Sequence, residues 1–427
     1  MNLAKYDKYR NTGLDWLGTI PKHWEEKRIK DVFMKIGSGT TPSTSREDYY
    51  ENGTIFWLNT TDLNNDLIFD TKQKITQLAF KESGLKIYPV NSLAIAMYGQ
   101  GKTRGTVGLL QIPATTNQAA CIMYVPKNVI TKYILYWFIH KYDAIRSINI
   151  GATQPNMNQD FIKFLILQCP PISEQTAIAT YLDQKTSAID RKAALLEQKI
   201  AHYQQLRKSL INETVCRGLD KSVNLKESGI EWIGKIPEHW EVKRFKSFAQ
   251  TIKGKNLDFS DVYFEKSLPN LSLEYLRNDE VGFQTFCYSP SKSLIVNEDD
   301  YIIVWDGAGV GEILNGKKGY LSSTIAKIVV NKKMMSPKYF FHLRDKIEYT
   351  IKQIPAGMGI PHLNPFVLNN FPSPYPPMNE QIAISNYLDE KTKKIDSIVA
   401  NVKGQIGTLK ELRKTLINDV VTGKIRV

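Results

Sequence analysis

Between Ser173 and Val215 nothing in the chain can break a helix. No proline follows Pro171 until Pro237, and no glycine occurs before Gly218. Leu182, Ile189, Leu196, Tyr203 and Leu210 recur at a strict period of seven. A seven-residue apolar repeat is a seam for a partner helix, so the stretch predicts one long helix that must pair. Ser173 is the predicted N-cap, and Glu174 places an acid in the first turn, where the helix dipole favours it. At about 1.5 Å per residue the rod measures roughly 65 Å, long enough to act as a spacer.

The partner lies in the same chain. Asn379 to Val421 repeats the stretch at an offset of 206, and the seam maps onto Leu388, Ile395, Val402, Leu409 and Leu416. PPISEQTAIATYLDQKTSAID (170–190) faces PPMNEQIAISNYLDEKTKKID (376–396), and LRKSLIN (206–212) faces LRKTLIN (412–418). Two such helices, each closing half a chain, predict an antiparallel pair about a pseudo-twofold axis.

A second repeat completes a frame. GLDWLGTIPKHWEEKRIKDVF (13–33) matches GIEWIGKIPEHWEVKRFKSFA (229–249) at an offset of 216. Trp16 and Trp232, Gly18 and Gly234, Pro21 and Pro237, His23 and His239, and Trp24 and Trp240 correspond. The order is therefore motif, insert, helix, then motif, insert, helix. The inserts, Met34 to Ile150 and Gln250 to Ala356, share little identity. In the first, residues 54–58, 91–97 and 120–125 read as strands from their β-branched and aromatic content, and Lys132 to Arg146 reads as a helix. In the second, 293–296, 300–305 and 324–330 read as strands and Pro337 to Lys352 as a helix. The fold class is α+β: two mixed α/β domains separated by a pair of long antiparallel, coiled-coil-like helices.

Composition narrows the partners. The net charge is +13. Residues up to Arg217 include 27 basic and 19 acidic side chains and the remainder 29 and 24, so both halves are basic. That balance favours a polyanion such as nucleic acid. No apolar run reaches the roughly 18 residues a membrane span needs, and the first residues carry no apolar leader. Cys121, Cys169, Cys216 and Cys287 are scattered without metal-ligand spacing, which fits a reducing, cytoplasmic setting.

Several motifs tempt an enzymatic reading. AMYGQGKT (96–103) fits a loose phosphate-loop pattern, but Arg104-Gly105-Thr106-Val107-Gly108 is poor helix material, so a glycine-rich strand turn is the better reading. Gly307 to Gly311 follows a strand but lacks dinucleotide-binding spacing. Asn364-Pro365-Phe366 lacks the second proline of an adenine-methyltransferase motif. His23 and His239, in duplicated flanks, point to packing. No catalytic constellation and no metal set emerges.

The two Trp-x-Gly-x-Ile-Pro-x-His-Trp frames (16–24 and 232–240) and the two Pro-Pro…Glu-Gln…Tyr-Leu-Asp…Lys-Thr…Ile-Asp helices resemble the specificity subunit of type I restriction-modification systems. The resemblance covers nearly the whole chain. It implies target recognition domains at 1–165 and 218–370, a central helix at 166–217 and a distal helix at 371–427. It implies that each domain reads one half of a split double-stranded DNA target, and that the chain docks two modification subunits and, for restriction, motor-nuclease subunits. S-adenosylmethionine, ATP and Mg would serve those partners, leaving none in this chain.

Base reading needs side chains that hydrogen-bond base edges, supported by cations on phosphates. The first insert offers Thr40, Thr41, Thr60, Thr61, Tyr98, Lys102, Thr103, Arg104, Asn117 and Gln118. The second offers Lys253, Lys255, Asn256, Lys317, Lys318, Ser322, Ser323 and Thr324. Two rivals stand beside this reading: a self-contained DNA-modifying enzyme, and a coiled-coil scaffold that reads no DNA. The missing catalytic motifs oppose the first, and two basic, unlike inserts oppose the second.

Overall fold

The computed structural model describes residues 4–99, 101–147, 157–278, 285–287, 291–354 and 361–427. The insert ends at Ile150 and Ala356, and Gln100 of the glycine-rich motif, lie outside the described residues. The chain divides into two compact units, residues 1–197 with 403–427, and residues 198–402. The division falls within both long helices, Ile172–Arg217 and Met378–Val421, of 46 and 44 residues.

The first long helix starts one residue before the expected cap. The Pro171 carbonyl accepts from the Gln175 N–H at 2.9 Å, which places Ser173 inside the first turn. Proline has no N–H to lose but keeps its carbonyl, so it opens the helix where a side-chain cap was expected. Pro377 opens the second helix in the same way, accepting from Gln381 at 3.0 Å.

Each unit contains one antiparallel segment of paired helix. In the first, Ile178 and Leu182 share a core with Ile417, Val420 and Val421, and Arg413 meets Asp190 at 3.0 Å. In the second, Ile211 and Val215 share a core with Ile384 and Leu388, and Arg207 meets Asp396 at 3.1 Å. Leu182, Leu388, Ile395 and Val402 are buried, whereas Ile189, Leu196, Tyr203, Leu210, Leu409 and Leu416 are half-buried. A second stripe completes the seam: Thr186, Ala193, Ile200 and Arg207 on one helix, and Thr392, Val399, Ile406 and Arg413 on the other, all buried or half-buried.

The frames hold the helix starts. His23 Nε2 lies 2.7 Å from Glu174 Oε1, and Trp24 Nε1 donates to Glu174 Oε2 at 3.0 Å. His239 and Trp240 repeat both distances on Glu380. The duplicated histidines therefore pack the frame onto the first-turn glutamates. The next residue works equally hard: buried Gln175 receives the Ile130 N–H, and buried Gln381 the Ser336 N–H.

Despite their unlike sequences, the inserts share the order of four antiparallel strands in their main sheets. The first unit's main sheet runs Phe33–Gly37, Ala120–Pro126, Leu93–Ala96, Val107–Leu110, Asp66–Ile68, with only the last pairing parallel. The second runs Ala249–Lys253, Ile325–Val330, Tyr301–Val304, Ile313–Asn315, antiparallel throughout. Each unit adds a second sheet, three-stranded in the first and five-stranded in the second, with one parallel pair, Ile55–Leu58 with Thr115–Thr116, and Leu268–Leu271 with Gly319–Leu321. Leu93–Ala96 and Val107–Leu110 are buried along their whole length, as apolar runs covered on both faces must be.

Two local expectations change. Residues 293–296 form only a two-residue strand, Ile295–Val296, after a single tight turn at Lys292–Leu294. The helix expected from Pro337 to Lys352 is two, Pro337–His342 and Arg344–Gln353. At the break the Leu343 N–H reaches the Phe340 carbonyl at 2.9 Å, a tightened turn that interrupts the regular ladder.

Candidate nucleic-acid interface

Both sheets gather loops at one end, and the gathering is done by main chain. In the first unit the Gly39 N–H donates to the Asn117 carbonyl at 3.2 Å, Met97 to Ala119 at 2.8 Å, and Met157 to Met97 at 3.1 Å. In the second, Gly254 donates to Ile325 at 3.0 Å, Trp305 to Thr324 at 2.8 Å, and Leu363 to Trp305 at 2.7 Å. Glycine is required at the first pin of each set. A Cβ on Gly39 would stand 1.6 Å from the Thr116 carbonyl oxygen, and one on Gly254 2.0 Å from that of Ser322.

This arrangement sorts the residues chosen from sequence. In the first unit Thr40, Thr41, Thr60, Thr61, Tyr98, Asn117 and Gln118 lie on the gathered loops. Thr41 donates to Gln118 Oε1 at 2.7 Å, and both Thr40 and Gln118 are exposed. Thr60 and Thr61 sit on a one-turn helix beside Asn59, whose Oδ1 accepts from Asn117 Nδ2 at 2.9 Å. Asn117 Oδ1 receives the Ala119 N–H at 3.0 Å, so both ends of that amide hold the loops together. Burial pushes the Tyr98 hydroxyl's pKa up and leaves the ring packed against the core.

Lys102, Thr103 and Arg104 occupy the turn between Leu93–Ala96 and Val107–Leu110, and no helix follows them. The phosphate-loop pattern is therefore a strand turn. Arg104 Nη2 donates to the Arg146 carbonyl at 2.7 Å and Arg146 Nη1 returns to the Arg104 carbonyl at 2.7 Å, latching the turn to the end of helix Thr131–Ser147. Gly307–Gly311 makes the matching turn in the second unit; Gly105 and Gly311 share positive φ values of 85° and 84°.

In the second unit Lys253, Lys255, Asn256, Ser322, Ser323 and Thr324 lie on the gathered loops. Lys317 and Lys318 do not. They sit in the turn between Ile313–Asn315 and Gly319–Leu321, at the other end of those strands, and the Lys317 ammonium donates to the Tyr275 and Asn278 carbonyls. Asn364 caps the short helix Pro365–Asn369 by accepting from Phe366 and Val367, and Asn158 caps Gln159–Phe164 in the other unit. Its resemblance to a methyltransferase motif is thus explained by capping.

Sequence reading missed Ser38 and Gln159 in the first unit, joined at 2.9 Å, and Trp305, Asp306 and His362 in the second. Asp306 accepts from His362 Nδ1 at 2.6 Å and faces Lys253 Nζ at 3.1 Å. Burial alone would raise the Asp306 carboxyl; the His362 and Lys253 contacts outweigh it and hold its pKa below the ordinary value. The sequence did hold one overlooked signal. Lys132-Tyr133 recurs as Lys338-Tyr339 at the helix offset. Both lysines reach the Tyr-Leu-Asp carboxylates, Asp183 at 2.5 Å and Asp389 at 3.2 Å.

No helix among the described residues is long and apolar enough to cross a membrane, and no group of metal-ligating side chains occurs among them. All four cysteines are buried and unpaired in disulfides.

A duplicated α/β head, pinned by main chain and carried on a long helix, defines the class. The type I restriction modification DNA specificity domain matches residues 21–201 and again 237–406, and the chain belongs to that family. The MjaVIII specificity subunit of Methanocaldococcus jannaschii is 35% identical over 189 residues, 44% of this chain and 43% of that protein. The MjaIX specificity subunit of the same organism is 26% identical over 439 residues, 96% of this chain and 95% of that one. A chain solved in a study of the assembly and conformational transition of a type I system superposes with a TM-score of 0.73 at 13% identity, covering 95% of this chain and 99% of its own. The HsdS subunit from Thermoanaerobacter tengcongensis gives 0.55 at 13% identity, covering 97% and 100%. These two likenesses establish the fold.

Proposed function

We propose that this chain is the DNA-reading subunit of a type I restriction-modification complex, with one recognition head for each half of a bipartite, asymmetric target. The observation that carries the reading is the pairing of one pinned loop scaffold, present twice, with two different sets of side chains on it. Similarly pinned scaffolds bearing different donors and acceptors suit two different half-sites. The helix pair is the spacer between half-sites and, with the frame, the docking surface for two modification subunits and for restriction subunits. The chain itself is non-catalytic and works in the cytoplasm. S-adenosylmethionine, ATP and Mg act in the partners, and base flipping is driven by the modification subunit.

The test is a DNA-shift assay with the chain alone and with modification subunits, on a target defined by methylation-sensitive sequencing of the host. A complex that prefers one bipartite sequence, with no methyl transfer by the chain alone, supports the reading. Methylation by the chain alone would favour the fused-enzyme alternative. Absence of any sequence preference in the complex would favour the scaffold.

A further inference from the structure

In the second head, Lys253 leaves the end of the strand Ala249–Lys253 and is held on two sides. Its Nζ lies 3.1 Å from Asp306 Oδ2, and it stands 5.5 Å from the centroid of the Trp305 ring. Asp306 is itself fixed. Its N–H donates to the Thr324 carbonyl at 3.1 Å, its other carboxylate oxygen takes His362 Nδ1 at 2.6 Å, and it bridges His362 through the main chain. The Asp306 side chain is 20% exposed, whereas Lys253 keeps 45%. A lysine normally loses much rotamer freedom when it makes a directed contact; one already held by a carboxylate and an aromatic face loses less. One ammonium N–H faces Asp306, which leaves two for an outside acceptor.

The corresponding position in the first head is Tyr98, since Met157 bonds Met97 there as Leu363 bonds Trp305 here. Tyr98 thus stands where Asp306 does, and no carboxylate is presented at that point of the first head.

We propose that Lys253, positioned by Asp306 and by His362 acting on Asp306, reads one guanine of the second half-site through its N7 and O6 acceptors. A pre-positioned cation with two free donors matches the paired acceptors that guanine alone shows in the major groove. A phosphate contact by the same lysine would carry no sequence information and would show only as a salt-dependent, uniform term. The proposal rests on the DNA-reading function above.

The experiment uses the assembled methyltransferase and its host target, with each guanine of the second half-site replaced in turn by 7-deazaguanine. For the wild-type complex one replacement is expected to weaken binding about tenfold. Lys253→Met should abolish sensitivity at that position only. Asp306→Asn should do the same while leaving the slope of affinity against salt unchanged, a pattern that general loss of structure would not produce. Lys253→Arg should retain part of the sensitivity. Where Lys253→Met does not assemble, Asp306→Asn, which keeps the lysine and its charge, carries the test. If Lys253→Met weakens all sequences alike and lowers the salt slope by about one, the lysine is a phosphate contact and the proposal falls. Undiminished sensitivity in Asp306→Asn also overturns it. A wild-type complex with no half-site preference would instead overturn the DNA-reading function.

Discussion

At the scale of the residue, adjacent side chains divide those that hold the loops from those that are displayed. Asn117 spends both ends of its amide on Asn59 and Ala119, while Gln118 accepts only from Thr41 and is exposed. Asn117→Ala is therefore expected to lower stability by about 1–2 kcal/mol, since it strands partners in a half-buried turn. Gln118→Ala is expected to leave stability unchanged and relax one position of the first half-site. Denaturant unfolding and binding to a panel of single-base variants separate the two; a flat panel for Gln118→Ala would remove that residue from the reading face. His140 supplies a pH dependence. Burial, reinforced by Lys141, Lys424 and Lys414, pushes its pKa down to about 4, and its Nε2 is buried without a partner. The unfolded chain takes up this proton near the ordinary value of 6.5, the folded chain only near 4. Stability is thus intact above 6.5 and is lost as pH falls from 6.5 towards 4. His140→Gln should flatten that part of the profile in urea melts at stepped pH; an identical slope in both proteins would refute the assignment.

At the scale of the element, the helices and the frame were legible because each is local or repeated. A period of seven and a missing breaker specify a helix; its start, opened by Pro171 rather than by Ser173, was not legible. The head topology was not legible. Its pins are main-chain bonds between segments far apart in sequence, such as Met97 with Ala119 and Met157, and beyond the glycines at 39 and 254 they leave no mark on side-chain identity. For the same reason the anchoring of Lys317 was not legible: its charge is visible in the sequence, its two carbonyl partners are not. The second seam stripe was hidden because it mixes Thr186, Ala193 and Arg207 with Ile200, so no apolar period announces it. The arginines at that stripe meet aspartates that are more than half exposed, and such pairs contribute little to stability. Removing one heptad between Ile189 and Tyr203, with its match between Ile395 and Leu409, should preserve the seam. One heptad is about 10 Å, or roughly three base-pair steps. The expected outcome is an unchanged pair of half-sites with a shorter gap, read by methylome sequencing. A gap that does not move would exclude the spacer role.

At the scale of the whole molecule, each head is a unit with its own sheets and core, which makes exchange the natural experiment. Replacing residues 34–150 with the equivalent segment of another family member should alter one half-site and leave the other. Alteration of both halves in the resulting methylome would show that the heads do not read independently. The pins that gather the loops have a consequence for how such chains diversify. An N–H and a carbonyl are present in every amino acid except at proline's nitrogen, so the scaffold places almost no demand on the alphabet of the residues it displays. Letters at Thr40, Gln118, Lys255 or Asn256 can be redrawn without renegotiating the geometry that presents them. The constraints that remain are few: glycine at 39 and 254, and no proline at 97, 157, 305 or 363. New specificities are then reached by single steps through folded intermediates, which is the condition for a recognition repertoire to drift quickly while its architecture stands still.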